Sequence, residues 1–205
     1  MCSNLPETSE TSVTNDEKYW LWLCSGPFVS WAARKSLLDY FGSPGEILHA
    51  PEKEFDIWKR TFGKWVHQLC HMRNEETVEE IAADLKSKNV SFVSCKNSAF
   101  PEMLKQIPDP PMGLFYRGSL PSPSERTAAV VGARACSEAG RTMAVQIGRI
   151  LAENGVSVIS GMAAGIDGSS QAAALEAGGR SYGVLGCGVD ICYPRDNWNL
   201  YHRIS

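Results

Sequence analysis

A short apolar segment runs into a glycine-rich turn three times between residues 129 and 188. The three segments are residues 129–134 (AVVGAR), 156–167 (VSVISGMAAGID) and 182–188 (YGVLGCG). Because the stretches between them have helical patterns, they predict an α/β fold with a βαβαβ unit and a parallel sheet. The carboxyl ends of parallel strands meet at one edge of a sheet, so we expect the three turns to lie together. Ligands bind at this edge in open α/β sheets, since helix N-termini and bare backbone N–H groups point there.

Composition and charge restrict the class of protein. The chain is 43% hydrophobic and 21% charged, as in an ordinary globular protein. No apolar run reaches the roughly 18 residues of a membrane span, and no signal pattern opens the chain, so we expect a cytoplasmic protein without a membrane partner. Seven cysteines without a C-x-x-C pair favour reduced thiols. The net charge of −3 argues against a strongly basic nucleic-acid binder, so any site for a polyanion must be local.

The sequence divides into three parts. Residues 1–16 are rich in Ser, Thr and Glu and are expected to form a disordered tail. Residues 17–72 have apolar side chains at three- and four-residue steps and predict a small all-helical domain, including one aromatic-rich helix over residues 52–70. Gly42 is expected to end one helix, and residues 43–46 (SPGE) to cap the next. Residues 73–205 form the predicted α/β domain.

Helix signals within the α/β domain lie where the turns require them. Asn74 is expected to cap a first helix. Ser137 is placed to cap the helix between the first two glycine turns, with Gly155 just past its end, and Asp167 to cap the next. One face of the helix after Ser137 is predicted to be apolar, and it carries Met143, Ala144, Ile147, Ile150 and Leu151.

The turns predict a site for phosphate groups. Gly132 allows a sharp turn, and Arg134 is placed to bind a pair of anionic oxygens, although a surface arginine beside a structural turn is the alternative. The small residues after Ser160 keep the second turn bare before a helix whose dipole favours an anion, and Asp167 is expected to shape this turn. The candidate phosphate-binding residues are Gly132, Arg134, Ser137, Ser160, Gly161, Gly165, Gly186 and Gly188.

Signatures of catalysis are missing from the sequence. The first turn lacks the G-x-G-x-x-G fingerprint of dinucleotide-binding proteins, and no Walker motif or Ser/His/Asp arrangement is visible. Cys187 has no histidine nearby, which argues against a nucleophile. His67, Cys70 and His71 lie on one amphipathic helix without a second ligand cluster, so we predict no metal ligand. A binding protein without a cofactor is therefore favoured over an enzyme.

Several motifs occur in an order that is specific for one family. They are residues 131–134 (VGAR), 160–167 (SGMAAGID), 184–188 (VLGCG) and the pair Tyr193-Pro194. Upstream stretches such as residues 100–104 (FPEML) and 114–118 (LFYRG) belong to the same pattern. Together they resemble the DprA/Smf family of DNA-processing proteins, over about residues 17–205. The resemblance implies a helical domain of sterile-alpha-motif or helix-hairpin-helix type before an extended Rossmann-like domain.

The same resemblance implies a function. Proteins of this family bind single-stranded DNA, protect incoming DNA and load a RecA-type recombinase during natural transformation, and they are not known for catalysis. The complete proteins form homodimers. The alternative is a Rossmann-like nucleotide phosphoribohydrolase, although its P-G-G-x-G-T loop is not found here. A third reading is an interaction module in which the helical domain recognises the partner.

Departures from the family pattern limit what the resemblance implies. Ser170 and Gln171 stand where the family usually has Ala-His, and residues 26–29 (GPFV) replace the Gly-h-Gly hairpin that grips phosphates. The family continues with further strands beyond the position of Ser205. The resemblance therefore implies that residues 1–205 are a shortened piece with an exposed sheet edge and weaker affinity for DNA.

Overall fold

The computed structural model describes residues 15–26 and 30–204, and its contacts divide the chain into two units after Asp84. Most of the predicted disordered tail lies outside the described residues, as do residues 27–29 of the stretch compared with a hairpin. Asn15 and Asp16, which the prediction assigns to the tail, begin the first helix. Within the described ranges, none of the helices has the length and apolar character needed to cross a membrane.

The first unit is helical. Its elements are α1 (Asn15–Ser25), α2 (Trp31–Phe41), α3 (Pro44–His49), a 3₁₀ turn (Glu52–Phe55), α4 (Asp56–Phe62), α5 (Lys64–His71) and most of α6 (Glu75–Ser87). The core contains Trp22, Leu37 and Phe55, all without exposed surface. Two predicted boundaries are confirmed: α2 ends at Gly42, and the Ser43 hydroxyl accepts the backbone N–H of Glu46 at the start of α3. The aromatic residues of this unit therefore include core residues, as their spacing predicts.

The single helix predicted over residues 52–70 is wrong. Gly63 has a φ of 63°, which ends α4 and turns the chain into α5. Glycine adopts this left-handed conformation without steric cost, so one residue outweighs the helical pattern around it. The aromatic stripe is divided as a result: Phe55 is buried, whereas Trp65 is partly exposed.

The second unit contains two sheets. Its elements are β1 (Ser91–Ser94), β2 (Gly113–Tyr116), β3 (Thr127–Ala129), α7 (Glu138–Glu153), β4 (Ser157–Ser160), α8 (Ile166–Glu176), β5 (Ser181–Gly183) and α9 (Trp198–Ile204), with 3₁₀ turns at Glu102–Gln106 and Arg195–Asn197. Strands β1 and β2 pair antiparallel, whereas β3, β4 and β5 form a parallel sheet in that order. The predicted βαβαβ unit is therefore confirmed.

Helices α7 and α8 pack closely because α7 has a glycine where they meet. A Cβ atom on Gly148 would lie 2.2 Å from the Ser170 carbonyl oxygen. The face that α7 buries therefore carries its small residues, Ala144 and Gly148. The predicted apolar face is only partly right, because three of its larger members are exposed to solvent. These are Met143, Ile147 and Ile150.

A carboxylate joins all three parallel strands at the edge where they begin. Glu125 precedes β3, and its carboxylate accepts hydrogen bonds from the Ser157 hydroxyl at 2.5 Å and the Tyr182 hydroxyl at 2.9 Å. Burial alone would raise the pKa of Glu125, but the hydrogen bonds from Ser157 and Tyr182 outweigh it, so the pKa is lowered. The ionised form is therefore stabilised by folding.

Glu125 is expected to make the α/β unit sensitive to acid. Its pKa is lower in the folded than in the unfolded chain, so its contribution to stability is complete above the ordinary value of 4.5 and is lost as the pH falls below it. We expect the free energy of unfolding of Glu125→Gln, measured with urea, to fall less between neutral and acidic pH than that of the unmodified protein. Tyr182→Phe, which removes one donor, should reduce this acid-induced loss of stability to a smaller extent. Equal acid sensitivity in all three proteins would contradict this assignment.

Candidate nucleic-acid interface

The three glycine turns line one pocket at the carboxyl edge of the parallel sheet. The pocket has a volume of about 410 Å³. The first turn contributes Arg134, the second Gly161 and the third Gly186, while Tyr193 and Pro194 complete the wall. The prediction that the turns lie together is confirmed.

Arg134 is the positively charged residue of this pocket. Its side chain is exposed, and no described residue forms an ion pair or hydrogen bond with its guanidinium. A guanidinium presents several N–H donors in a planar fork that suits the oxygens of a phosphate group. The pocket wall therefore combines one cation with side chains that are mostly small or apolar.

Asp167 holds the first two turns together. Its carboxylate accepts the backbone N–H of Gly132 at 3.2 Å and that of Gly161 at 3.1 Å, and the residue is only 7% exposed. The prediction that Asp167 caps α8 is wrong, because Gly165 is the cap residue and the carboxylate reaches across to the turns. This carboxylate also corrects the predicted phosphate contacts: the N–H groups of Gly132 and Gly161 already donate to an internal anion.

Gly165 permits the close approach of the first two turns. Its φ is 83°, and a Cβ atom there would lie 2.3 Å from the Ala133 carbonyl oxygen and 2.4 Å from that of Arg134. The N–H of Ile166 donates to the Ala133 oxygen at 3.3 Å. Gly165 therefore shapes the support beneath Arg134 and does not line the pocket itself.

The two candidate serines are used inside the protein. Ser160 is buried, and its hydroxyl donates to the Val130 carbonyl oxygen at 2.5 Å. The Ser137 hydroxyl accepts the N–H of Gly140 at 3.1 Å, as predicted for a helix cap. Neither serine lines the pocket, nor do Gly132 and Gly188. Of the eight candidate residues, Arg134, Gly161 and Gly186 form its surface.

Gln171 was not among the sequence candidates, yet it fixes the second turn. Its carbonyl oxygen accepts the N–H of Met162 at 3.0 Å, and its amide nitrogen donates to the Ser181 hydroxyl and the Tyr182 carbonyl, both at 3.1 Å. Met162 has a φ of 55°, an uncommon conformation for a side chain of this size. The only signal in the sequence is that Gln171 occupies the family's histidine position.

The third turn is held by the last helix of the unit. The hydroxyl of Tyr201 on α9 donates to the Val189 carbonyl oxygen at 2.5 Å, and Arg117 donates to the Tyr201 oxygen at 2.9 Å. Asn197, just before α9, donates to the carbonyl oxygens of Met162 and Ala163 in the second turn. Residues after the third strand therefore position two of the three turns.

Comparison with known proteins identifies relatives of this chain. The family model for DNA recombination-mediator protein A matches residues 74–205. The chain is 30% identical to the protein Smf of Synechocystis over 146 residues, which are 69% of this chain and 37% of that protein. It is 39% identical to the DNA processing protein DprA of Streptococcus pneumoniae over 112 residues, which are 55% of this chain and 39% of that protein.

A solved structure agrees with these relatives. The X-ray structure of DprA from Streptococcus pneumoniae superposes on 94% of this chain with a TM-score of 0.59 and 28% identity, and 64% of that chain is covered. In the sequence alignments, the matched part of this chain spans less than half the length of the two curated relatives. Its motifs, the matched family model and the superposed fold agree, and the protein belongs to the DprA/Smf family of DNA recombination-mediator proteins.

Proposed function

We propose that this chain binds single-stranded DNA at the pocket, where Arg134 and the backbone of the third turn hold phosphate oxygens. One observation carries the proposal: a guanidinium with no partner among the described residues lies at a pocket formed by three turns nearly bare of side chains. Contacts to phosphates give affinity without reading the sequence, so sequence preference should be slight. The chain carries a net charge of −3, and the site is therefore local.

Membership of the DprA/Smf family supports a wider role. We propose that the protein acts in the cytoplasm without catalysis, protects incoming DNA and helps a RecA-type recombinase to assemble on it during natural transformation. Homodimerisation belongs to the same proposal. The proposed role in recombinase assembly can be tested by measuring whether the full chain speeds assembly of such a recombinase on single-stranded DNA. An unchanged rate of assembly, with DNA binding intact, would limit the chain to DNA binding.

Arg134→Ala tests the phosphate site. We expect affinity for a labelled oligonucleotide to fall by about ten-fold, because one charged contact is lost, and the slope of log affinity against log salt to fall by about 1. Fluorescence anisotropy at several salt concentrations measures both quantities. Arg149→Ala is the matched control, since Arg149 is exposed and lies near the end of α7, far along the helix from the first turn. Equal affinity and equal salt dependence in Arg134→Ala and the unmodified protein would refute the site.

The volume of the pocket favours one alternative, a nucleotide-cleaving enzyme. Pockets of about 300–1,000 Å³ bind small molecules, and this pocket of about 410 Å³ is within that range. However, the described residues that line it include no Asp, Glu or His that could serve as an acid or base. Release of free base from nucleoside monophosphates would support the enzyme, and its loss in Arg134→Ala would assign it to the same pocket.

A further inference from the structure

Two large aromatic side chains are exposed on the segment that follows the third turn. Tyr193 forms part of the pocket wall and is 64% exposed, and Trp198 at the start of α9 is 56% exposed. Packing does not explain the exposure of this indole and this phenol ring, because burial of such rings would stabilise the fold. Exposed apolar surface in a folded protein commonly marks a binding site.

Trp198 directly follows a residue that is bonded to the second turn. The Asn197 side chain donates to the Met162 carbonyl oxygen at 2.7 Å and to that of Ala163 at 3.2 Å, and Ala163 lines the pocket. Leu200 and Tyr201 anchor α9 in an apolar cluster with Met162. The position of Trp198 is therefore set by a rigid element.

Among the described residues, one aromatic ring contacts the ring of Trp198. The His202 ring, one turn later on α9, meets it at 4.2 Å between centroids in an edge-on arrangement. More than half of the tryptophan surface remains open to solvent. Aromatic rings in this situation act as stacking platforms for unpaired bases, and such stacking tolerates any sequence because every base has a π-face.

We propose that Tyr193 and Trp198 stack on unpaired bases of the strand whose phosphate is held by Arg134. The inference rests on the proposed binding of single-stranded DNA, and it adds residues that select single strands. In a duplex the faces of the bases are covered by their neighbours, so the two rings would have no partner. Charge complementarity at Arg134 and apolar surface at the two rings match the alternation of phosphate and base along a single strand.

An abasic oligonucleotide separates stacking from phosphate binding. We expect Tyr193→Ala and Trp198→Ala each to lose about ten-fold in affinity for oligothymidylate, with the salt slope unchanged. Neither substitution should alter affinity for an abasic strand of equal length. Tyr193→Phe and Trp198→Phe, which keep a ring, should restore most of the lost affinity. Tyr40→Ala is the control, because Tyr40 is as exposed as Tyr193 but lies in the helical unit.

The possible results distinguish two failures. If the unmodified protein binds normal and abasic strands equally well, and the two alanine variants match it, the stacking assignment is overturned while phosphate binding stands. If the unmodified protein binds neither strand in a salt-dependent manner, the proposed function itself fails. Equal losses in the alanine variants on normal and abasic strands would also overturn stacking, because such losses report damage to the pocket.

Discussion

Replacing Asp167 by alanine is expected to lower the free energy of unfolding of the α/β unit by about 3 kcal/mol, because two backbone donors lose a charged acceptor. The N–H groups of Gly132 and Gly161 would then face a partly buried space without a partner. Urea unfolding of this unit measures the change. DNA binding should weaken as well, since the turns that support the pocket would no longer be held together.

The sign of the binding change tests how Asp167 acts. Removing a negative charge near a phosphate site would by itself strengthen binding, so weaker binding indicates that the carboxylate acts by positioning the turns. Asp196→Ala is the matched control, because it removes an exposed carboxylate from the same unit. Asp167→Asn should be nearly as harmful as alanine, since an amide keeps one acceptor but turns a second donor toward an N–H group. Unchanged stability with tighter binding in Asp167→Ala would contradict the positioning role.

Gln171→Leu is expected to cost about 3 kcal/mol of stability, because the fully buried amide makes three hydrogen bonds and leucine of similar size makes none. The backbone of Met162 would be released from its uncommon conformation, and the second turn would lose its fixed position in the pocket wall. Urea unfolding reports the loss of stability. Affinity for an oligonucleotide, measured where the variant is still folded, reports the change in the turn.

Gln171→Glu tests the role of the amide carbonyl oxygen separately from that of the amide NH2 group. A carboxylate can still accept the Met162 N–H but cannot donate to Ser181 or Tyr182, whereas a protonated carboxyl accepts the same N–H and donates one hydrogen bond to either of them. Relative to the unmodified protein, we therefore expect this variant to be more stable at pH 5 than at pH 8. Gln146→Leu on the exposed side of α7 is the control and should change stability by less than about 0.5 kcal/mol. A Gln171→Leu variant as stable as Gln146→Leu would show that the amide does not hold the turn.

Local signals in the sequence were sufficient for the elements and for the edge where the site lies. The β-strand pattern before each glycine turn predicted three parallel strands, and parallel connections bring their carboxyl ends together. Caps such as Ser43 and Ser137 were predictable because a hydroxyl and an N–H three residues later lie within one helical turn. The helix break at Gly63 was missed, because helical spacing continues across a residue that can also turn the chain.

The amino-acid pattern was enough to predict the order of helices and strands in the α/β unit, the shared edge of the glycine turns and the position of Arg134 in the first of them. Which backbone N–H donors remain available to a ligand could be known only from the folded chain. Asp167 and Gln171 bond to groups on other turns and strands, and the partner of a side chain across such a separation depends on packing in three dimensions. The same reason explains the exposure of Trp198, since the spacing of α9 does not say which of its faces the rest of the unit will cover.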